Sequence, residues 1–156
     1  MKIRLYFKPS DLCIDDKPVP QNIIDKIVNY HIVPMSVVRH YFGKPIFCKD
    51  SKGKKSGFRP YRWEILRNRS GKSQHTFGQG KNGIINPKDK GAVDWRCRGF
   101  QSDKDELLKL IMEHTEYTRI AIYNHFLHCD YKPTSDGKRQ LFKSSDNSEW
   151  TFIKNF

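Results

Sequence analysis

Two histidines and an aspartate stand out because their neighbours leave each of them in need of a partner. His75 lies in the polar turn "GKSQHTFGQG" (71–80), Asp94 in "GAVDWRC" (91–97) and His128 in "FLHCDYK" (126–132). Two imidazoles and a carboxylate form a standard zinc set that leaves a fourth position for water. Asp94 and His128 fall between apolar neighbours on strand-like segments, and an unpartnered buried polar group costs on the order of a few kcal/mol. A shared metal ion satisfies all three at once. Taken singly they also admit plainer roles, His128 as a hydrogen-bonded packing residue and Asp94 as a salt-bridge partner. His31, His40 and His114 lie on helical segments without acidic or thiol neighbours at ligand spacing, and read as packing or surface residues.

The elements that must carry this set follow from periodicity. "PQNIIDKIVNY" (20–30) puts Ile23, Ile24, Ile27 and Val28 on one helical face, and Pro34 interrupts before a second helix over 35–43 that ends at Gly43. "YRWEILRN" (61–68) follows Pro60 as a helix of about two turns. "SDKDELLKLIMEH" (102–114) is the clearest helix, with Ser102 as its cap and Leu107, Leu108, Ile111 and Met112 as its buried stripe. Residues 44–50 suit a strand. In 91–97, Ala92, Asp94 and Arg96 alternate with Val93, Trp95 and Cys97. Segments 119–124 and 126–132 suit a hairpin-like pair, and 137–143 and 149–156 close the chain as β-rich segments. The expected fold is α+β: N-terminal helices packed on a small, mainly antiparallel sheet.

Composition bounds the function. The 156 residues suit a single domain. No apolar run spans a bilayer, and the first residues do not read as a secretory signal, so synthesis in the cytoplasm is expected. The formal charge of +12, from 29 Lys+Arg against 17 Asp+Glu, favours anionic partners such as a bacterial cell wall or nucleic acid. No sequence-specific nucleic-acid motif accompanies the charge, so specific nucleic-acid recognition is not expected. Cys13, Cys48, Cys97 and Cys129 are widely spaced, with no C-x-x-C pair, and read as reduced, partly buried thiols.

Taken in order, "SGFRPYRWEILRNRSGKSQHTFG", "GAVDWR" and "YNHFLHCD" resemble the zinc D-Ala-D-Ala carboxypeptidase family, which cuts peptidoglycan peptides and includes phage endolysins. Ser73, His75 and Gly78 match the first half of its Ser-x-His-x-x-Gly-x-Ala-x-Asp signature, Ala92 and Asp94 the second half, and His128 with Asp130 its later His-x-Asp element. The resemblance runs from about Val37 to Asp130. It implies a zinc ion held by His75, Asp94 and His128 on a Hedgehog/DD-peptidase-like fold. Arg59, at the position of the family's active-site arginine, would clamp a substrate carboxylate or an oxyanion, and Ser73 would orient the loop or Arg59. Two departures accompany the match. His75 and Asp94 are 19 positions apart where the family has seven, so residues 79–90 become a loop insertion between ligands. His125 stands where many relatives carry an acidic general base, which leaves His125 or Asp130 for that task. The implied protein is a monomeric peptidoglycan hydrolase without a membrane span, made in the cytoplasm and, if phage-encoded, released through a holin. A non-catalytic wall-binding or virion protein on the same fold, and a basic nucleic-acid-binding domain, are the other readings.

Overall fold

A computed structural model describes residues 2–145 and 149–156. Its first helical run does not stop at Pro34. Helix α1 (Gln21–Ile27) passes through a widened π turn (Val28–Ile32) into α2 (Val33–Phe42), with Pro34 inside the first turn of α2. A proline has no N–H to give and its ring crowds the carbonyl four residues back. The wider turn relieves that crowding, and the carbonyl concerned, Tyr30 O, accepts a hydrogen bond from Tyr131 Oη at 2.6 Å. Helix α2 ends, as its sequence predicts, at Gly43, whose φ of 72° continues the chain in the left-handed region.

Strand β1 (Ile46–Phe47) is shorter than expected, and α3 (Tyr61–Ile65) is little more than one turn. Strand β2 (Ala92–Cys97) leads straight into α4 (Phe100–His114). The N-cap of α4 is Gly99 at φ 68°, not Ser102, because a left-handed residue there starts the helix directly after the strand and buries Phe100. Strands β3 (Arg119–Ile122), β4 (Leu127–Asp130), β5 (Gln140–Ser144) and β6 (Trp150–Asn155) complete a six-stranded sheet. Its order is β1-β2-β4-β3-β5-β6.

β3 and β4 form the expected antiparallel pair, whereas β3 and β5 run parallel. The fold is therefore α+β with a mixed sheet, and β2 precedes α4 rather than following all the helices. Val93, Trp95, Cys97, Ile120, Leu127 and Cys129 form one side of the core, covered by Met35, Val38 and Phe42 of α2 and Leu107, Leu108 and Ile111 of α4. Met112 only borders that core. All four cysteines are free and buried, and burial pushes the Cys48 thiol up to about 12. None of the described helices is long and apolar enough to cross a membrane.

The segment between His75 and Asp94 carries one 3-10 turn (Lys81–Gly83) and is pinned at both ends. The buried Lys26 ammonium donates to Phe77 O at 2.8 Å and Asn86 O at 2.7 Å. At the far end His31 Nε2 donates to Lys90 O at 2.8 Å, so its Nδ1 is left to accept from Tyr117 Oη, also at 2.8 Å. Burial holds the His31 pKa down to about 4, which keeps this ring neutral. The closure entropy of a loop grows only slowly with its length, so with both ends fixed residues 79–90 leave β2 in place.

Candidate metal centre

Antiparallel pairing of β2 with β4 sets Asp94 directly opposite His128, on the sheet face turned away from the helices. His75 is delivered from outside the sheet by a 3-10 turn (Gln74–Thr76). Ser73 Oγ caps that turn by accepting from His75 N at 3.2 Å, and Arg59 N donates to His75 O at 2.8 Å. Nitrogen atoms of the two imidazoles and a carboxylate oxygen of Asp94 all lie within 4.8 Å of one another, and the three residues are between 5% and 9% exposed.

The hydrogen bonds behind the cluster decide what it can hold. His75 Nδ1 lies 2.9 Å from Gly57 O, which can only accept, so Nδ1 carries the proton. Nε2 then presents a lone pair to Asp94 Oδ1 at 3.4 Å. His128 Nε2 lies 3.0 Å from Asp130 Oδ2, while its Nδ1 faces Asp94 Oδ1 at 2.8 Å. Both outer N–H groups are thus engaged by an oxygen acceptor, the arrangement that orients histidines on a metal. Three lone pairs converge at the centre and demand a cation. Ligand atoms on a tetrahedral zinc ion stand ~3.3 Å apart at ~2 Å from the metal. The 3.4 Å from His75 Nε2 to Asp94 Oδ1 matches that scale, and the 2.8 Å from His128 Nδ1 to Asp94 Oδ1 is hydrogen-bond length.

Without a metal, the cation is a proton on His128. Burial opposes its charge, but the hydrogen bonds it donates to Asp130 and Asp94 raise its pKa to about 9. Burial keeps His75 below its ordinary value against the pull of Asp94. Asp94 stays well below the usual carboxylate range, burial being outweighed by His75 and His128. Asp130 is likewise held down, to about 2, by His128 and Arg119.

Of the residues singled out in the sequence, the fold gathers His75, Asp94 and His128, with Asp130, Arg59 and Ser73 around them. Arg59 Nη2 lies 4.0 Å from Asp94 Oδ2 and donates to Ser56 Oγ at 3.1 Å, while its buried Nε has no hydrogen-bond partner among the described residues. His125 is elsewhere: it is exposed in the β3–β4 turn. Three supporting groups had not been picked out. Ser56 Oγ donates to Asp94 Oδ2 at 2.5 Å, Arg119 grips both Asp130 oxygens, and Trp150 packs 5.3 Å from the His128 ring. Arg119 sits opposite Asp130 in the hairpin register, so counting pairs across that hairpin finds it. Nothing in the sequence signals the Gly57 carbonyl.

No family model matches the chain, and neither a curated protein nor a solved structure matches it. The site therefore stands on its own geometry. Arg119→Gln frees Asp130 to turn from His128, and zinc affinity is expected to fall 10- to 100-fold in competition with a chromophoric chelator. Unchanged affinity would show that Asp130 does not orient the ligand.

Proposed function

We propose that the protein is a zinc-dependent peptidase acting on the stem peptides of bacterial peptidoglycan. The observation that carries this reading is the convergence of His75, Asp94 and His128 with both outer N–H groups engaged. The order of the "SGFRP", "SQHTFG", "AVD" and "HCD" elements, which resembles the peptidase family, supplies the substrate class. When bound, zinc supplies Lewis acidity toward the scissile peptide carbonyl and an attacking water. Asp130 fixes the proton on His128 Nε2 and so keeps Nδ1 free for the metal. Arg59, permanently charged and carrying an unused Nε–H, binds a stem carboxylate or the oxyanion that develops at the carbonyl. Ser73 holds the His75 turn. The surplus of basic residues holds the enzyme to an anionic wall, an attraction that salt weakens. On this reading the chain is made in the cytoplasm and reaches the wall through a holin pore.

A second reading, a metal-containing wall-binding protein without turnover, is favoured by one observation. The carboxylate nearest the cluster, Asp130, is tied to Arg119 and His128, and His125 reaches a substrate only if the β3–β4 turn folds over the site. Metal analysis of the purified protein, followed by mass spectrometry of digested peptidoglycan, separates the two. About one zinc per chain with released peptides supports the peptidase. Zinc without release supports the second reading, and no zinc removes both.

A further inference from the structure

Beside the cluster, on the far side of Arg59, positive charge gathers around one indole. Arg67 Cζ stands 4.0 Å from the Trp63 ring centre, Lys54 Nζ and Arg69 Cζ each stand 5.3 Å from it, and Arg59 Cζ 5.6 Å. A cavity of about 400 Å³ opens over this ring, lined by Ile14, Lys52, Gly53, Lys54, Trp63 and Arg67. Besides Asp94, which faces Arg59, two carboxylates among the described residues answer these cations. Asp50 is occupied by the backbone N–H groups of Lys52 and Lys54, and Glu64 is fully buried, 3.5 Å from Arg69 Nε and without a hydrogen bond among the described residues. Contact with an indole face stabilises one or two cations by on the order of 1 kcal/mol each. It does not offset the mutual repulsion of four. Burial, followed by Arg59 and Arg69, lowers the pKa of Lys54, with Asp50 opposing.

An excess of fork-shaped and ammonium donors around an open, walled space is the complement of an oxyanion. We propose that the cavity over Trp63 is an oxyanion subsite that takes a carboxylate of the substrate peptide. Arg59 joins it to the metal cluster, since one guanidinium lies near both the Trp63 ring and Asp94. A peptide whose scissile bond lies at His75, Asp94 and His128 would then place a neighbouring carboxylate over Trp63. The carboxylate's identity as part of a stem peptide rests on the proposed function; the subsite itself does not.

The test is a titration of the zinc-treated full chain with succinate, and separately with inorganic phosphate, at constant ionic strength. The readout is the NMR signal of the Trp63 indole N–H, assigned with Trp63→Phe. Expected is a saturable shift with succinate, weakened on the order of tenfold in Arg67→Gln and in Lys54→Gln. It should persist in His128→Ala, which has lost its metal. No saturable shift, or a shift indifferent to both substitutions, overturns the subsite. Saturation by phosphate but not succinate overturns the carboxylate assignment in favour of a phosphate ester. Because the readout needs neither zinc nor turnover, a failed peptidase assay leaves this result intact, and the reverse also holds.

Discussion

Stripped of metal by a chelator, the protein should lose stability as pH rises from about 6.5 to about 9, while the zinc-loaded form gains or holds stability over the same interval. His128 has an ordinary value of 6.5 and a folded value of about 9. A raised value means that the folded state binds the proton more tightly, so the stabilisation is complete below 6.5 and gone above 9. Its size is on the order of a few kcal/mol. Asp130 works in the other direction: lowered from 3.8 to about 2, it stabilises above 3.8 and fails as pH falls through 2. His31, held down to about 4, and His75, also lowered, cost stability as pH falls below 6.5, so the metal-free protein is most stable near pH 6.5. Zinc binding needs both imidazoles neutral and releases a proton, so its contribution grows with pH. Thermal unfolding followed across this range, with chelator and with zinc, should give slopes of opposite sign. His128→Ala should lose the zinc dependence entirely and drop by about 3–5 kcal/mol, because it leaves Asp94 and Asp130 buried without their shared partner. Parallel slopes with and without zinc would reduce the cluster to an ion-pair network.

Asp94 and His128 were legible because each is a polar residue set into an otherwise alternating strand, whereas His75, in a polar turn, was reached through the Ser-x-His-x-x-Gly resemblance. Alternation in 91–97 puts Asp94 on the face opposite Trp95, and the core indeed takes Val93, Trp95 and Cys97. The β3–β4 hairpin is equally plain, and pairing then carries His128 to Asp94. What local patterns did not carry was long-range or backbone in origin. The parallel β3–β5 contact depends on the path of residues 123–139, not on either strand's composition. Pro34 reads as a stop because proline usually is one, but the widened turn before it and the distant Tyr131 hydroxyl on Tyr30 O make the continuous helix tolerable. His125 occupies the family's base position in the linear match, but the tight turn that joins β3 to β4 leaves it in solvent. Motif spacing fixes which residues are near in the chain; the sheet register fixes which reach the centre.

Gly57→Ala should damage the metal centre without altering any ligand. A Cβ at position 57 would lie 2.2 Å from Leu12 O, closer than real contacts allow, and a tight 3.0 Å from Leu12 C, and both neighbours are backbone atoms that no rotamer change can move. Leu12 is fully buried and its carbonyl accepts from Phe58 N at 2.6 Å, so the 57–58 backbone must shift as a unit. That shift displaces Gly57 O from His75 Nδ1 and disturbs Ser56, whose hydroxyl donates to Asp94. Overpacking of this kind costs about 1–3 kcal/mol, or roughly 3–10 °C in Tm for a chain of this size. Losing the orienting acceptor should lower zinc affinity a further 10- to 100-fold. Gly80→Ala is the control: its Cβ meets nothing closer than Ile84 O at 3.6 Å, so zinc affinity and Tm should both stay near the parent values. Equal zinc affinity in Gly57→Ala and Gly80→Ala would mean that the carbonyl behind His75 does not set its tautomer. The lone-pair argument for the metal would then rest on His128 alone.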